Sequence, residues 1–92
     1  MLTYHGDESD RFYFSNYERV DERDLFDQAK RILESSPTVK FHDFKEVVYV
    51  DIWQGIYKAT DFELWLDINY GPFLICRDEK ALQELEQMIN AA

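Results

Sequence analysis

Apolar and polar residues alternate in the middle of the chain, from Phe62 to Tyr70. Because successive side chains of a β-strand point to opposite faces, this period of two predicts a strand with one apolar face. The preceding run Val47–Trp53 alternates in the same way, with apolar positions at Val48, Val50 and Ile52. With a loop around 55–60 between them, the two runs predict an antiparallel hairpin that places one face against the core.

Two other segments have helical spacing. Apolar residues recur every three or four positions in Glu22–Ser35 and in Glu79–Asn90, which predicts two amphipathic helices. Asp21 and Asp78 stand at the expected N-caps, where a carboxylate can accept free backbone N–H groups. Pro37 ends the first helix, because proline disfavours the helical conformation for the residue before it.

The remaining segments are shorter. The aromatic run Arg11–Tyr17 predicts a first strand, and Phe73–Cys76 predicts a short strand after a Tyr-Gly-Pro turn. The stretch Met1–Asp10 is polar and is expected to be loose. Two interpretations of Thr38–Lys45 stay open: a strand that runs on through Val47, or a loop held by its phenylalanines.

The elements follow the order β-α-β-β-β-α. Each helix has one apolar stripe and the sheet has one strongly apolar face, so we expect an α+β fold in two layers. Both helices should pack on the same face of a mostly antiparallel sheet, in a single domain that spans residues 1–92. The predicted core contains Leu25, Ile32, Val48, Val50, Leu64, Leu66, Ile68, Leu82 and Leu85.

The predicted helix-free face combines aromatic rings with carboxylates. By alternation, its candidate partner-binding residues are Tyr49, Asp51, Trp53, Trp65 and Asp67. Trp and Tyr are enriched at the centres of protein–protein contacts, so this composition indicates an interface. The alternative is structural: the rings cover the sheet edge or pack beneath the N-terminal stretch and the 38–45 segment.

The chain carries 19 acidic and 10 basic residues, for a net charge of −9. This field would repel phosphate backbones and anionic lipids, so direct binding to nucleic acid or membrane is not expected. No apolar run reaches the roughly 18 residues that a membrane span needs. The single cysteine, Cys76, cannot form an internal disulfide and lies in an apolar run, which favours a core position and a reducing cytoplasm.

No catalytic, metal-binding or cofactor-binding motif is present in the sequence. His5 and His42 lie far apart, and the pair His42-Asp43 is best interpreted as a histidine beside a solvated carboxylate. The serines lack a nucleophile-elbow context, and the three glycines are isolated. Asp51 and Asp67 are the one pair of carboxylates that neighbouring strands could bring together for acid–base chemistry.

Three functional hypotheses follow. The first is a non-enzymatic protein-interaction module that binds a protein partner, or a second copy of itself as a homodimer, through the helix-free face. The second is an acidic inhibitor that mimics nucleic acid and occupies the basic groove of a nuclease or another nucleic-acid-binding protein. The third, a small enzyme that uses Asp51 or Asp67, has the least support from the sequence.

Overall fold

The alternating runs form the central hairpin of an antiparallel sheet. A computed structural model describes all 92 residues as six strands in the spatial order β1-β2-β6-β5-β4-β3, with two helices. The strands are β1 Thr3–Tyr4, β2 Arg11–Phe14, β3 Val39–Val47, β4 Val50–Tyr57, β5 Thr60–Asp67 and β6 Gly71–Ile75. The helices are α1 Glu22–Glu34 and α2 Glu79–Ala91. The predicted α+β fold is therefore confirmed, and β1 and β3 are added to the predicted elements.

Both predicted N-caps are in place. An Asp21 carboxylate oxygen accepts the backbone N–H of Arg23 at 2.8 Å, and that of Asp78 accepts the N–H of Ala81 at 2.9 Å. These bonds satisfy donors that have no partner within the first turn of a helix. Neither helix combines the length and the apolar character that crossing a membrane requires.

One buried cluster holds the two layers together. It contains Phe12, Phe14, Phe26, Ala29, Leu33, Val39, Tyr57, Phe62, Leu64, Leu74, Cys76, Ala81, Leu82, Leu85 and Ile89. Since it draws on both helices and on five strands, the helices share one face of the sheet. Among the predicted core residues, Leu25 is also buried, and Ile32 and Leu66 are partly buried against the cluster.

Three residues of the predicted core lie elsewhere. Val48 and Ile68 are exposed because they lie in turns, between β3 and β4 and between β5 and β6. Val50 begins β4 with its side chain on the helix-free face. The loop predicted at 55–60 is also wrong, because β4 and β5 are joined by the two-residue turn Lys58-Ala59. The positive φ angles of these two residues (47° and 67°) suit the twist of a tight hairpin.

The two faces of β4 are the reverse of the prediction. In the sheet, Trp53 is paired with Leu64 and Gly55 with Phe62, so Trp53 shares the face of buried core residues. Ile52 is paired with Trp65 and lies on the helix-free face. The prediction was wrong because both alternating sets of residues in β4 contain apolar side chains, so hydrophobicity alone does not orient this strand.

The segment left open between strand and loop is an edge strand. β3 is paired with β4 along its length, except at His42, where the register shifts between Phe41 and Asp43. This bulge inserts one residue, so Phe41 and Phe44 both face the helices although three positions separate them. Charged residues and a bulge are common features of edge strands, because they hinder pairing with another chain.

Candidate interaction surfaces

A line of large side chains crosses the helix-free face of the sheet. Neighbouring strands place these residues directly beside one another, in the order Tyr4, Tyr13, Phe73, Trp65 and Ile52. The ring centroids are 5.4 Å apart for Tyr4 and Tyr13, 5.4 Å for Tyr13 and Phe73, and 5.5 Å for Phe73 and Trp65. We call these five residues the aromatic row.

The aromatic row is partly covered by its own members. Phe73 is only 3% exposed and Ile52 only 8%, although no helix packs on them. Trp65 and Tyr13 are half-buried, and Tyr4 at one end is exposed. The row is thus a packed platform, whose accessible area comes from Tyr4, Tyr13 and Trp65.

Polar neighbours fix the position of the platform. The Trp65 indole N–H donates to Glu63 Oε1 at 3.0 Å, and Gln54 Nε2 donates to Glu63 Oε2 at 2.9 Å. The Arg11 guanidinium lies 5.4 Å from the centre of the Phe73 ring. Arg11 also donates to Asp10 at 2.9 Å, and this hydrogen bond lowers the pKa of Asp10 and raises the pKa of Arg11. These contacts restrict the rotation of the side chains in the platform.

The strands place little net charge on the helix-free face. By register, they carry three cations and four carboxylates there: Arg11, Lys40, Lys45, Asp43, Asp61, Glu63 and Asp67. The net charge of these seven side chains is −1, whereas the whole chain carries −9. Two further carboxylates border the face, because Asp10 is bonded to Arg11 and Glu8 to the Tyr13 hydroxyl.

Trp53 does not join this face. It lies beneath α1, with the ammonium of Lys30 4.3 Å above the centre of its ring system. Phe44 and Phe41 flank it at centroid distances of 4.8 Å and 5.8 Å. The two indoles, which were predicted to share the helix-free face, are on opposite faces of the sheet, and Trp53 packs against the core.

A second surface lies at one end of the sheet, where two hairpin turns meet. The backbone N–H of Ile68 in the β5–β6 turn donates to the Tyr49 carbonyl in the β3–β4 turn at 3.0 Å. The exposed fractions of the turn side chains are 76% for Val48, 70% for Tyr49, 66% for Ile68 and 71% for Tyr70. We call these four residues the tip cluster.

A cleft of about 670 Å³ adjoins the tip cluster. Its charged lining consists of Asp21, Glu22, Arg23, Glu46, Asp51 and Asp67. The one cation among them, Arg23, donates to Asp51, and this hydrogen bond raises the pKa of Arg23. The rim of the cleft is therefore strongly negative.

Three of the five predicted partner-binding residues, Tyr49, Asp51 and Asp67, line this cleft. The sequence indicated them for another reason, a shared sheet face, which they do not have. Asp51 is paired with Leu66 and points to the helix side, whereas Asp67 points to the helix-free side. The two carboxylates therefore do not form the acid–base pair that the sequence suggested, because they lie on opposite faces.

The remaining reactive side chains have local partners. His5 lies 2.8 Å from Glu86, and His42 lies 2.9 Å from Asp43. Burial raises the pKa of the Cys76 thiol, which lowers the fraction of reactive thiolate at neutral pH. No three His, Cys, Asp or Glu side chains are grouped so that they would hold a metal ion.

Sequence reasoning missed both the full length of the aromatic row and the tip cluster. The row includes Phe73 and Tyr4, and the order of the strands in the sheet determines which residues lie beside them. The pattern of the sequence does not give that order. Half of the tip cluster had a signal, because Tyr70 adjoins the predicted Tyr-Gly-Pro turn, whereas the turn at Val48 and Tyr49 lies inside a run that the sequence predicted as a strand. No protein family model, curated protein or solved structure matches this chain.

Proposed function

We propose that this protein is a non-enzymatic interaction module that pairs with a second copy of itself through its helix-free face. The aromatic row carries the proposal, because a fixed line of rings on strands with little net charge has the composition of a contact centre. The proposal places the module in the cytoplasm, where its buried, unpaired Cys76 stays reduced. It involves no cofactor, nucleic acid or membrane.

The face is large enough for such a contact. Its strands range from two to nine residues in length, and six of them lie side by side. With strands about 4.8 Å apart and about 3.4 Å per residue, the sheet covers on the order of 600–700 Å². Stable interfaces bury about 800 Å² per partner, so one face of this sheet approaches the standard size.

The pattern of side chains suits a two-fold axis along the central strands, between β5 and β6. Such an axis exchanges β1 with β3, β2 with β4 and β5 with β6, because the sheet has three strands on either side. It lays Tyr4 over Lys45 of the second copy, which favours a cation–π contact. Elsewhere, Arg11 of one copy lies over Gln54 of the other, and Glu63 of one copy lies over Ile75 of the other. No two charges of the same sign therefore face each other at these positions.

The long-range charge still opposes pairing. Each copy brings −9, but most of it lies away from the contact and is open to screening by salt. Self-association is therefore expected to strengthen as salt increases, whereas binding to a basic partner would weaken.

Light scattering coupled to gel filtration tests the proposal at low and moderate salt. We expect a dimer that Tyr4→Asp weakens at least tenfold in dissociation constant, because Tyr4 is 52% exposed in the row. Tyr17→Asp is the matched control: it makes the same change of charge at a tyrosine that is 61% exposed but lies outside the sheet. A monomer under all conditions, or a dimer equally stable in both variants, would overturn the proposal.

A second candidate function is the acidic inhibitor. Its support is the net charge of −9, which would attract a basic groove. Its test is competition: the protein should displace single-stranded DNA from a basic nucleic-acid-binding protein at low salt and fail at high salt.

A further inference from the structure

We propose that the cleft beside the tip cluster binds a basic segment of another protein, with large apolar side chains flanked by Lys or Arg. This surface lies at the end of the sheet, and only Val47, Val50 and Asp67 of its lining also belong to the helix-free face. The tip cluster and the other four carboxylates lie outside the proposed dimer contact, so the inference does not depend on that contact.

The apolar part of the segment is inferred from the tip cluster. Its four large side chains are each about two-thirds exposed or more, and two hairpin turns bring them to the same end of the sheet. Two of them, Tyr49 and Ile68, line the cleft. Single exposed apolar residues are ordinary on a protein surface, but four on two adjoining turns beside a cleft favour a contact site.

The basic part is inferred from charge. The cleft is lined by five carboxylates and one cation, and that cation is engaged by Asp51. A second copy of this chain would bring a rim of the same sign, and nucleic acid or an anionic lipid would bring phosphates. Lys or Arg beside the apolar anchors removes this repulsion and adds attraction.

The cleft is fixed before a partner arrives. Asp67 Oδ1 accepts the backbone N–H groups of Asn69 at 2.7 Å and of Tyr70 at 3.2 Å, which shapes the β5–β6 turn. The bond from Ile68 to the Tyr49 carbonyl then links this turn to the β3–β4 turn. A surface held in this way loses little conformational entropy when it binds.

Fluorescence anisotropy with three labelled peptides tests the inference. The first peptide alternates lysine with leucine and tryptophan, the second has glutamate in place of lysine, and the third has serine in place of the apolar residues. We expect the first peptide to bind at low salt and to weaken steeply as salt rises. Loss of the lysines or of the apolar residues should each weaken binding at least tenfold.

Protein variants assign the site. Ile68→Ser and Tyr49→Asn should each weaken binding of the first peptide at least fivefold; asparagine tolerates the positive φ of 69° at position 49. Tyr17→Ser, at another exposed tyrosine, should leave binding unchanged. Tyr4→Asp should leave it unchanged too, which separates this site from the helix-free face. No binding of the first peptide at low salt, or equal binding by Ile68→Ser, would overturn the inference.

Discussion

At Gly55 the backbone lies directly against a core ring. A Cβ atom added there would stand 2.7 Å from Cζ of Phe62 and 3.1 Å from the Lys40 carbonyl oxygen. Both distances are too short for a relaxed contact, and the backbone atom cannot rotate away. Glycine at this position therefore lets Phe62 cross β4 and reach the rings of Phe41 and the core.

We predict that Gly55→Ala lowers the free energy of unfolding by roughly 1–3 kcal/mol, since it overpacks the core. Urea denaturation followed by circular dichroism measures the change. Gly6→Ala is the control: its added Cβ would lie 3.2 Å from the edge of the Tyr13 ring and 3.8 Å from Glu8 Oε2, both side-chain atoms in an exposed stretch. Equal losses in both variants would contradict the close contact at Gly55.

Single residues also mark the limit of prediction from the sequence. The side on which Trp65 lies was predicted correctly, because Leu64 and Leu66 flank it in a strand with only one apolar face. The side of Trp53 was not, because Ile52 on one face of β4 is as apolar as Trp53 on the other. The pairing of Gly55 with Phe62 distinguishes the two faces of that strand, and this pairing is known only from the register.

Among the elements, α2 is tied to β4 by one polar bond. The Tyr57 hydroxyl donates to Glu84 Oε1 at 2.5 Å. This hydrogen bond lowers the pKa of Glu84 and raises the pKa of Tyr57, because it stabilises the charged carboxylate and the neutral hydroxyl that are present at neutral pH. Its contribution to stability is lost as pH falls through the lowered pKa of Glu84, or as pH rises through the raised pKa of Tyr57.

We predict that Tyr57→Phe destabilises the protein most between about pH 5 and pH 9, which lies between the ordinary pKa values of Glu and Tyr. The difference from the parent protein should shrink as pH falls from the ordinary pKa of Glu through the lowered pKa of Glu84, and as pH rises from the ordinary pKa of Tyr through the raised pKa of Tyr57. Urea denaturation at each pH gives the difference. Tyr70→Phe, at an exposed tyrosine in a turn, should leave stability unchanged throughout. A pH-independent effect of Tyr57→Phe would contradict the coupling.

Elements with a strong repeat were predictable, and irregular ones were not. α1 and α2 lie within a residue or two of their predicted bounds, since their caps and apolar stripes agree. β3 was ambiguous because its bulge at His42 breaks the period of two that identifies a strand. β1 has only two residues, too few for any periodicity, and its pairing with β2 comes from the tertiary fold.

On the scale of the whole molecule, charge is distributed unevenly over a small body. The radius of gyration is 12.0 Å, comparable with the Debye length of about 10 Å at 0.1 M salt. Most carboxylates on the helices and turns therefore repel one another across the molecule at low salt. The two-layer arrangement was predictable because it follows from apolar stripes, whereas the segregation of charge follows from strand order.

We predict that the thermal midpoint rises by a few degrees when sodium chloride increases from about 20 mM to about 300 mM, because screening relieves this repulsion. Differential scanning calorimetry at two protein concentrations separates this effect from self-association, which depends on concentration. Choline chloride should act like sodium chloride if screening is the cause. A midpoint that falls with both salts would contradict net repulsion in the folded chain.

The position of the two tryptophans on opposite faces gives each layer its own fluorophore. Trp53 lies below the Lys30 ammonium and among core rings, whereas the Trp65 indole N–H is bonded to Glu63 on the other face. Trp53→Phe would leave an emission spectrum that reports on the helix-free face, and Trp65→Phe one that reports on the contact between α1 and the sheet. Changes on the two faces can thus be followed separately by tryptophan fluorescence, without an added label.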